Sequence, residues 1–307
     1  MALWIWLSLG AAFAQNLRSA VQKRLTATLS TGGATATRFL YGLPFAALWL
    51  ALLVGASAPD APSLPSPTPA FALYTLAGAL AQIGATALLL RTFATRSFAA
   101  GTTFSKTEGL QTVLVGYLVL GDALGAAALA GVATTALGVL LVSVARTGAA
   151  LPPSPAERWR TVGLGLLSGT LFAVSAVAYR GASLALDAGG DGADVALRAA
   201  VTLVAALAVQ SLATGVGLAL REPGELRRVA RAWRAGLVAG AAGAAASAGW
   251  FNAFTLVDAA LVKAVGSIEL AFAMLASRLV FGERPSAREG VGVLVVMAGI
   301  VMTVLGA

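Results

Sequence analysis

"KTEGLQTVLVGYLVLGDALGAAALAGVATTALGV" spans residues 106–139, and "SIELAFAMLASRLVFGERPSAREGVGVLVVMAGI" spans residues 267–300. A shift of 161 positions superposes the two stretches. In that register Glu108 meets Glu269, Leu118 meets Leu279 and Val119 meets Val280. Gly121 meets Gly282, Gly131 meets Gly292, Gly138 meets Gly299, and Asp122 meets Glu283 with its charge kept. Upstream, Phe93 meets Phe254. In so Ala- and Leu-rich a chain one match is chance. A register that pairs two rare glutamates inside apolar runs reads as an internal duplication.

Composition says where such a chain lives. Of 307 residues, 58% are hydrophobic and 11% charged, too little charge to cover a soluble surface. Apolar runs of about 20 residues recur throughout, each long enough for a ~30 Å hydrocarbon core. The first, "ALWIWLSLGAAFAQNLRSAV", lacks a basic leader and reads as a span rather than a signal peptide. Cysteine and histidine are absent, which removes disulfides, thiol nucleophiles, Cys or His metal sites and the near-neutral histidine switch. No cofactor is implied. The +8 charge borders apolar spans, so it is assigned to the membrane surface rather than to nucleic acid.

Breaks at Gly, Pro and charge clusters give an all-α membrane protein of ten transmembrane helices. They run over 3–22, 34–55, 70–91, 97–120, 124–146, 160–186, 192–219, 234–256, 261–281 and 287–306. The loops after odd-numbered spans carry or border the basic residues, among them Lys23, Arg24, Arg38, Arg227, Arg228, Arg231 and Arg234. The opposite loops hold Asp60, Asp122, Asp187, Asp191, Asp194 and Asp258 with no Lys or Arg. The positive-inside rule makes the basic face cytoplasmic and puts both termini on the outer, periplasmic side of a bacterial inner membrane. The duplication divides the chain into five-helix repeats, residues 1–147 and 148–307. An odd number of spans inverts one repeat relative to the other, a recurrent design of secondary transporters with a site near midplane.

Two five-helix halves, each with a fourth helix ending in Gly-acid and a Gly-rich fifth, resemble the EamA-type branch of the drug/metabolite transporter superfamily. The resemblance covers nearly the whole chain. That family often carries a Glu-Pro pair in this helix; Glu108 and Glu269 match the glutamate, while Gly109 and Leu270 stand at the proline position. The resemblance implies a ten-helix exporter or permease for a small organic solute, often an amino acid or another metabolite.

Glu108 and Glu269 are the leading candidates, since a midplane charge costs ~2.5–3.5 kcal/mol and faces a cavity or a partner. Either they exchange a proton or bind a cationic part of the substrate, or they are structural carboxyls paired with lysine or capping a broken helix. Lys106 points about 200° away from Glu108 around the helix, toward another carboxylate or a substrate carboxylate, or it snorkels to the cytoplasmic face. Lys263 is expected to snorkel to the outer boundary. In the first span Gln15, Arg18, Ser19 and Gln22 form one stripe expected inside the bundle, with Asn16 beside it. Gln82 and Thr86 repeat an i,i+4 polar pattern, and Gln111 extends the polar face of Glu108. Tyr179 and Trp250 read as an aromatic wall or as interfacial residues, Arg180 as a snorkelling cation or an anion contact, and Asn252 as a polar neighbour.

No phosphate loop, HExxH or histidine base points to an enzyme. A self-contained primary pump lacks a nucleotide-binding segment, and a channel accounts less well for midplane charge in a duplicated fold. The reading is a secondary transporter, an exporter of a small metabolite working by alternating access and driven through Glu108 and Glu269. Its partners are that solute and membrane lipid, and the duplication lets one chain act as a monomer. The alternative is a flippase for a lipid or lipid-linked molecule.

Overall fold

The computed structural model describes residues 3–56, 64–93, 105, 107–147, 154–186, 195–281 and 286–307. Their regular structure is helical. In chain order the helices are α1 (Leu3–Leu25), α2 (Thr31–Leu40), α3 (Gly42–Ala56), α4 (Pro69–Phe93), α5 (Glu108–Leu120) and α6 (Ala126–Thr147). The remainder are α7 (Pro155–Leu184), α8 (Val195–Arg221), α9 (Glu225–Arg231), α10 (Trp233–Leu256), α11 (Ala259–Gly266), α12 (Glu269–Phe281) and α13 (Ala287–Leu305).

Among the described residues, seven stretches are long and apolar enough to cross a membrane: 31–56, 69–89, 126–145, 162–184, 195–221, 233–256 and 287–305. The polar stripe of α1 keeps it out of that set despite its 23 residues. Of the span expected over 97–120, residues 97–104 and 106 lie outside the described ones, and α5 has 13 residues. Two expected spans are broken. The second divides at Tyr41 into α2 and α3, because Pro44 has no N–H to give Leu40 and its ring crowds that carbonyl. The ninth divides into α11 and α12 at Ser267–Ile268. There the N–H groups of Ser267 and Ile268 reach back only three residues, to Ala264 and Val265, at 3.1 Å each. This is a tight 3₁₀ turn between two α-helices.

The helices group into two compact units, one of Met1–Ile83 with Ala178–Val257, the other of Gly84–Val177 with Asp258–Ala307. Each draws on both halves of the chain. In the first unit α1 lies along α10, with Trp4, Ala11, Ala12, Ala246 and Ala253 buried. Glu225, fully buried at the start of α9, accepts the Ser30 backbone N–H at 2.5 Å and pairs with Arg228 at 2.6 Å. Ser30 in turn caps α2 by accepting the Gly33 N–H.

In the second unit the dominant contact is antiparallel, α6 against α13. A Cβ on Gly131 would fall on the Thr303 nitrogen, and one on Gly292 would lie 2.8 Å from the Val142 nitrogen. A Cβ on Gly138 would lie 2.8 Å from Val296 Cγ2, and one on Gly299 would fall on the Thr135 nitrogen. The 161-residue shift that takes Gly131 to Gly292 also takes Val142 to Thr303, and the one that takes Gly138 to Gly299 takes Thr135 to Val296. Each glycine contact thus has a counterpart with the helices exchanged, as in a two-fold packing. The same shift carries both ends of α5 onto the ends of α12.

Gly138→Ala and Gly299→Ala are expected to lower stability by about 1–3 kcal/mol each, since the helices must part to admit a methyl group. Gly290→Ala, on the same helix but facing open space, is expected to be neutral or slightly stabilising. Thermal unfolding of the purified protein in detergent measures all three.

Candidate functional site

Both glutamates of the duplicated stretch lie in the second unit, and each is the first residue of its helix. A helix start leaves backbone N–H groups without intrahelical acceptors and carries the positive end of the helix dipole, which favours a carboxylate there. α5 also closes cleanly at its other end. Gly121 takes φ 73° and its N–H bonds Tyr117 O, while Asp122 N–H reaches Gly116 O, a Schellman turn that uses the "GD" pair.

Lys263 Nζ stands 3.4 Å from Glu108 Oε1, both side chains about three-quarters buried at 22% and 23% exposure. Lys263 therefore does not snorkel as expected. It sits in the last turn of the short helix α11, where a cation complements the negative dipole end, and it turns inward because Glu108 offers it a carboxylate. Ser267, in the turn between α11 and α12, donates to the Lys263 carbonyl at 3.2 Å. Beside Glu108, Gln111 Nε2 donates to Thr107 Oγ1 at 2.7 Å, and Thr112 donates to the Glu108 carbonyl. Gly169 of α7 approaches so closely that a Cβ would lie 2.9 Å from Ser105 O and 3.1 Å from Gln111 Nε2. Glu269 is half-buried. Lys106, like Glu283 of the second Gly-acid pair, lies outside the described residues.

The other candidates belong to the first unit. Gln82, Tyr179 and Gln210 close a three-way network: Gln210 Nε2 donates to Gln82 Oε1 at 2.6 Å and to Tyr179 Oη at 2.9 Å, and Tyr179 donates to Gln82 Oε1 at 3.1 Å. Tyr179 is buried against Phe251, ring centroids 4.5 Å apart. Trp250 instead joins Gln15, its indole N–H donating at 3.2 Å, and stacks on Phe254. Tyr179 and Trp250 thus pack on different phenylalanines. Arg180 Nη1 donates to the Phe254 carbonyl at 3.0 Å, among the last carbonyls of α10, which have no partner within the helix. Asn252 is buried and bonds back to Ala248 O. Of the α1 stripe, Arg18 is buried, Gln15, Asn16 and Gln22 are half-buried, and Ser19 is exposed and bonds its own helix.

Sequence reasoning passed over Gln210 and the partner role of Lys263. A lone glutamine inside the apolar run of α8 was the available signal for the first, since an amide in such a span needs partners. Lys263 carried no comparable signal, because its partner is 155 positions away.

Seven helices long and apolar enough to cross a membrane mark an integral membrane protein. Residues 159–305 match the EamA-like transporter family. No curated protein matches the chain by sequence. A solved crystal structure is similar over 99% of this chain and 96% of its own, with a TM-score of 0.72 and 18% identity, a likeness of fold.

A double-mutant cycle of Glu108→Gln and Lys263→Met is expected to give a stability coupling below about 1 kcal/mol, given a 3.4 Å separation and partial exposure. If the pair serves solute movement, each single variant lowers transport about tenfold or more, the equivalent of one charge-assisted hydrogen bond. Unfolding and uptake measured on the same preparations separate the two effects.

Proposed function

We propose that this protein is a secondary transporter exporting a small organic metabolite, an amino acid or related compound, by alternating access. In this reading ten spans form two inverted five-helix repeats, residues 1–147 and 148–307, in a bacterial inner membrane with both termini outside. The observation that carries it is the placement of Glu108 and Glu269, 161 positions apart, each opening a helix of identical length. Broken helices whose ends face the site are how membrane carriers hold ions and substrate groups at depth. Glu108 exchanges a proton or the substrate's cationic group against Lys263. When the carboxylate is neutralised or occupied, the lysine loses its counter-charge and the local packing has reason to change. Glu269 takes the corresponding role in the other repeat. Matched glycine contacts between α6 and α13 support the two-fold relation on which two packings of similar energy would depend.

Metabolite release from cells with and without the protein identifies the solute. Counterflow of that solute in proteoliposomes is then measured across pH for the wild type, Glu108→Gln and Glu269→Gln. A glutamine at a coupling position is expected to flatten the pH dependence. An unchanged profile in both variants rejects the coupling role. If no soluble metabolite changes and lipid crosses protein-containing vesicles instead, the flippase reading takes over.

A further inference from the structure

The segment "REPGELRRVARAWR", residues 221–234, mixes two acids with five arginines and joins the apolar helices α8 and α10. The fold sorts these charges. Glu225 and Val229, one turn apart, are buried on the inner face of α9. Arg227 and Arg231 each follow two residues later, about 200° around the helix, and are exposed. Glu222 turns inward too: a Cβ on Gly32, at the start of α2, would lie 3.0 Å from its Oε1. Arg228 pairs with Glu225. Among the described residues, no carboxylate pairs with Arg221, Arg227, Arg231 or Arg234. A sequence of mixed sign becomes a surface of one sign.

That surface is also held still. Glu225 accepts the Ser30 N–H, and Tyr41 Oη donates to the Val229 carbonyl at 3.1 Å, which ties α9 to α2 and its end. At the border of the patch Trp233 is half exposed, with the Arg234 guanidinium 5.4 Å from its ring, and Leu220 is exposed beside Arg221. Because α8 and α10 are both long enough to span a membrane, the segment between them lies at a membrane surface. Guanidinium groups match phosphate oxygens there, while the indole ring and the arginine stems settle at headgroup depth.

We propose that the exposed face of α9, Arg227 and Arg231 with Arg221, Arg234 and Trp233 beside them, is a docking surface for the phosphate groups of anionic phospholipids. The assignment requires that the chain sit in a membrane, not that it move a solute. It also goes further than a topological role. Charge that only orients the chain acts during insertion, and the folded protein would then be indifferent to headgroup.

The test titrates the purified full chain, in a neutral detergent, with phosphatidylglycerol or phosphatidylcholine. Native mass spectrometry counts retained lipid, and thermal unfolding is followed in parallel. Phosphatidylglycerol is expected to be retained preferentially and to raise the unfolding midpoint, while phosphatidylcholine does neither. The double variant Arg227→Gln with Arg231→Gln is expected to weaken phosphatidylglycerol binding about tenfold or more, at roughly fivefold for each arginine. Arg160→Gln with Arg288→Gln removes the same net charge from exposed positions elsewhere and is expected to leave binding unchanged. Added salt is expected to reduce the preference in the wild type, a measurement that needs no variant to fold. Inorganic phosphate, which has no acyl chains, is expected to leave the midpoint where it was. Equal retention of the two lipids, equal losses in the two double variants, or a rise with inorganic phosphate as large as that with phosphatidylglycerol overturns the proposal.

Discussion

Backbone proximity between α6 and α13 is the constraint on which the second unit depends. At Gly131, Gly138, Gly292 and Gly299 a side chain would meet the facing helix, in each case close to a backbone nitrogen. In a membrane, where lipid solvates apolar side chains as well as a neighbouring helix does, such close approach is a main source of helix association. The contacts occur in exchanged pairs, so neither helix can shift along the other without breaking both members of a pair. That rigidity matters to the residues before it in the chain, since α5 leads into α6 and α12 into α13 through short connections. A fixed pair of helices gives the shorter elements a stationary frame.

Against that frame, placing a glutamate as the first residue of α5 and of α12 has a definite electrostatic logic. A carboxylate in the middle of a continuous helix would meet only saturated backbone, whereas at a helix start it meets open N–H groups. Lys263 supplies the complementary arrangement at the end of α11, so one contact joins a helix start, a helix end and two opposite charges. The break at Ser267–Ile268 makes this possible: were α11 and α12 one helix, Glu269 would face saturated backbone and Lys263 would no longer stand in a last turn.

Much of this was legible in one dimension. The 161-residue register anticipates the common limits of α5 and α12, and the pairing of Gly131 with Gly292 and Gly138 with Gly299 anticipates the tightest contacts. Most long apolar helices fall where hydropathy puts them, because length and apolarity are local properties. The break at Tyr41 was available in Pro44 but hidden by an otherwise uninterrupted apolar run. Lys263, Gln210 and Glu225 illustrate what local reading loses. Each was surrounded by signals for something else: a span boundary for Lys263, an Ala- and Leu-rich run for Gln210, a basic solvated loop for Glu225. Their partners come from 155, 128 and 195 positions away, and no periodicity along the chain encodes such pairs.

The two units also answer the problem of polar groups among apolar helices in different ways. In the first, beside the Glu225–Arg228 pair at one end, neutral groups bond one another: Gln82, Tyr179 and Gln210 close on themselves, and Gln15 is matched to the Trp250 indole. A closed neutral network is stable because every buried donor and acceptor has a partner, and it has little reason to rearrange. The second unit instead sets a charged pair at 3.4 Å, longer than the usual 2.7–2.9 Å of a strong charge-assisted bond. Such a pair is loosely held, partly reached by solvent and sensitive to anything that changes either charge. Rigid neutral networks suit a scaffold. A long, partly exposed ion pair beside a broken helix is the contact most open to change.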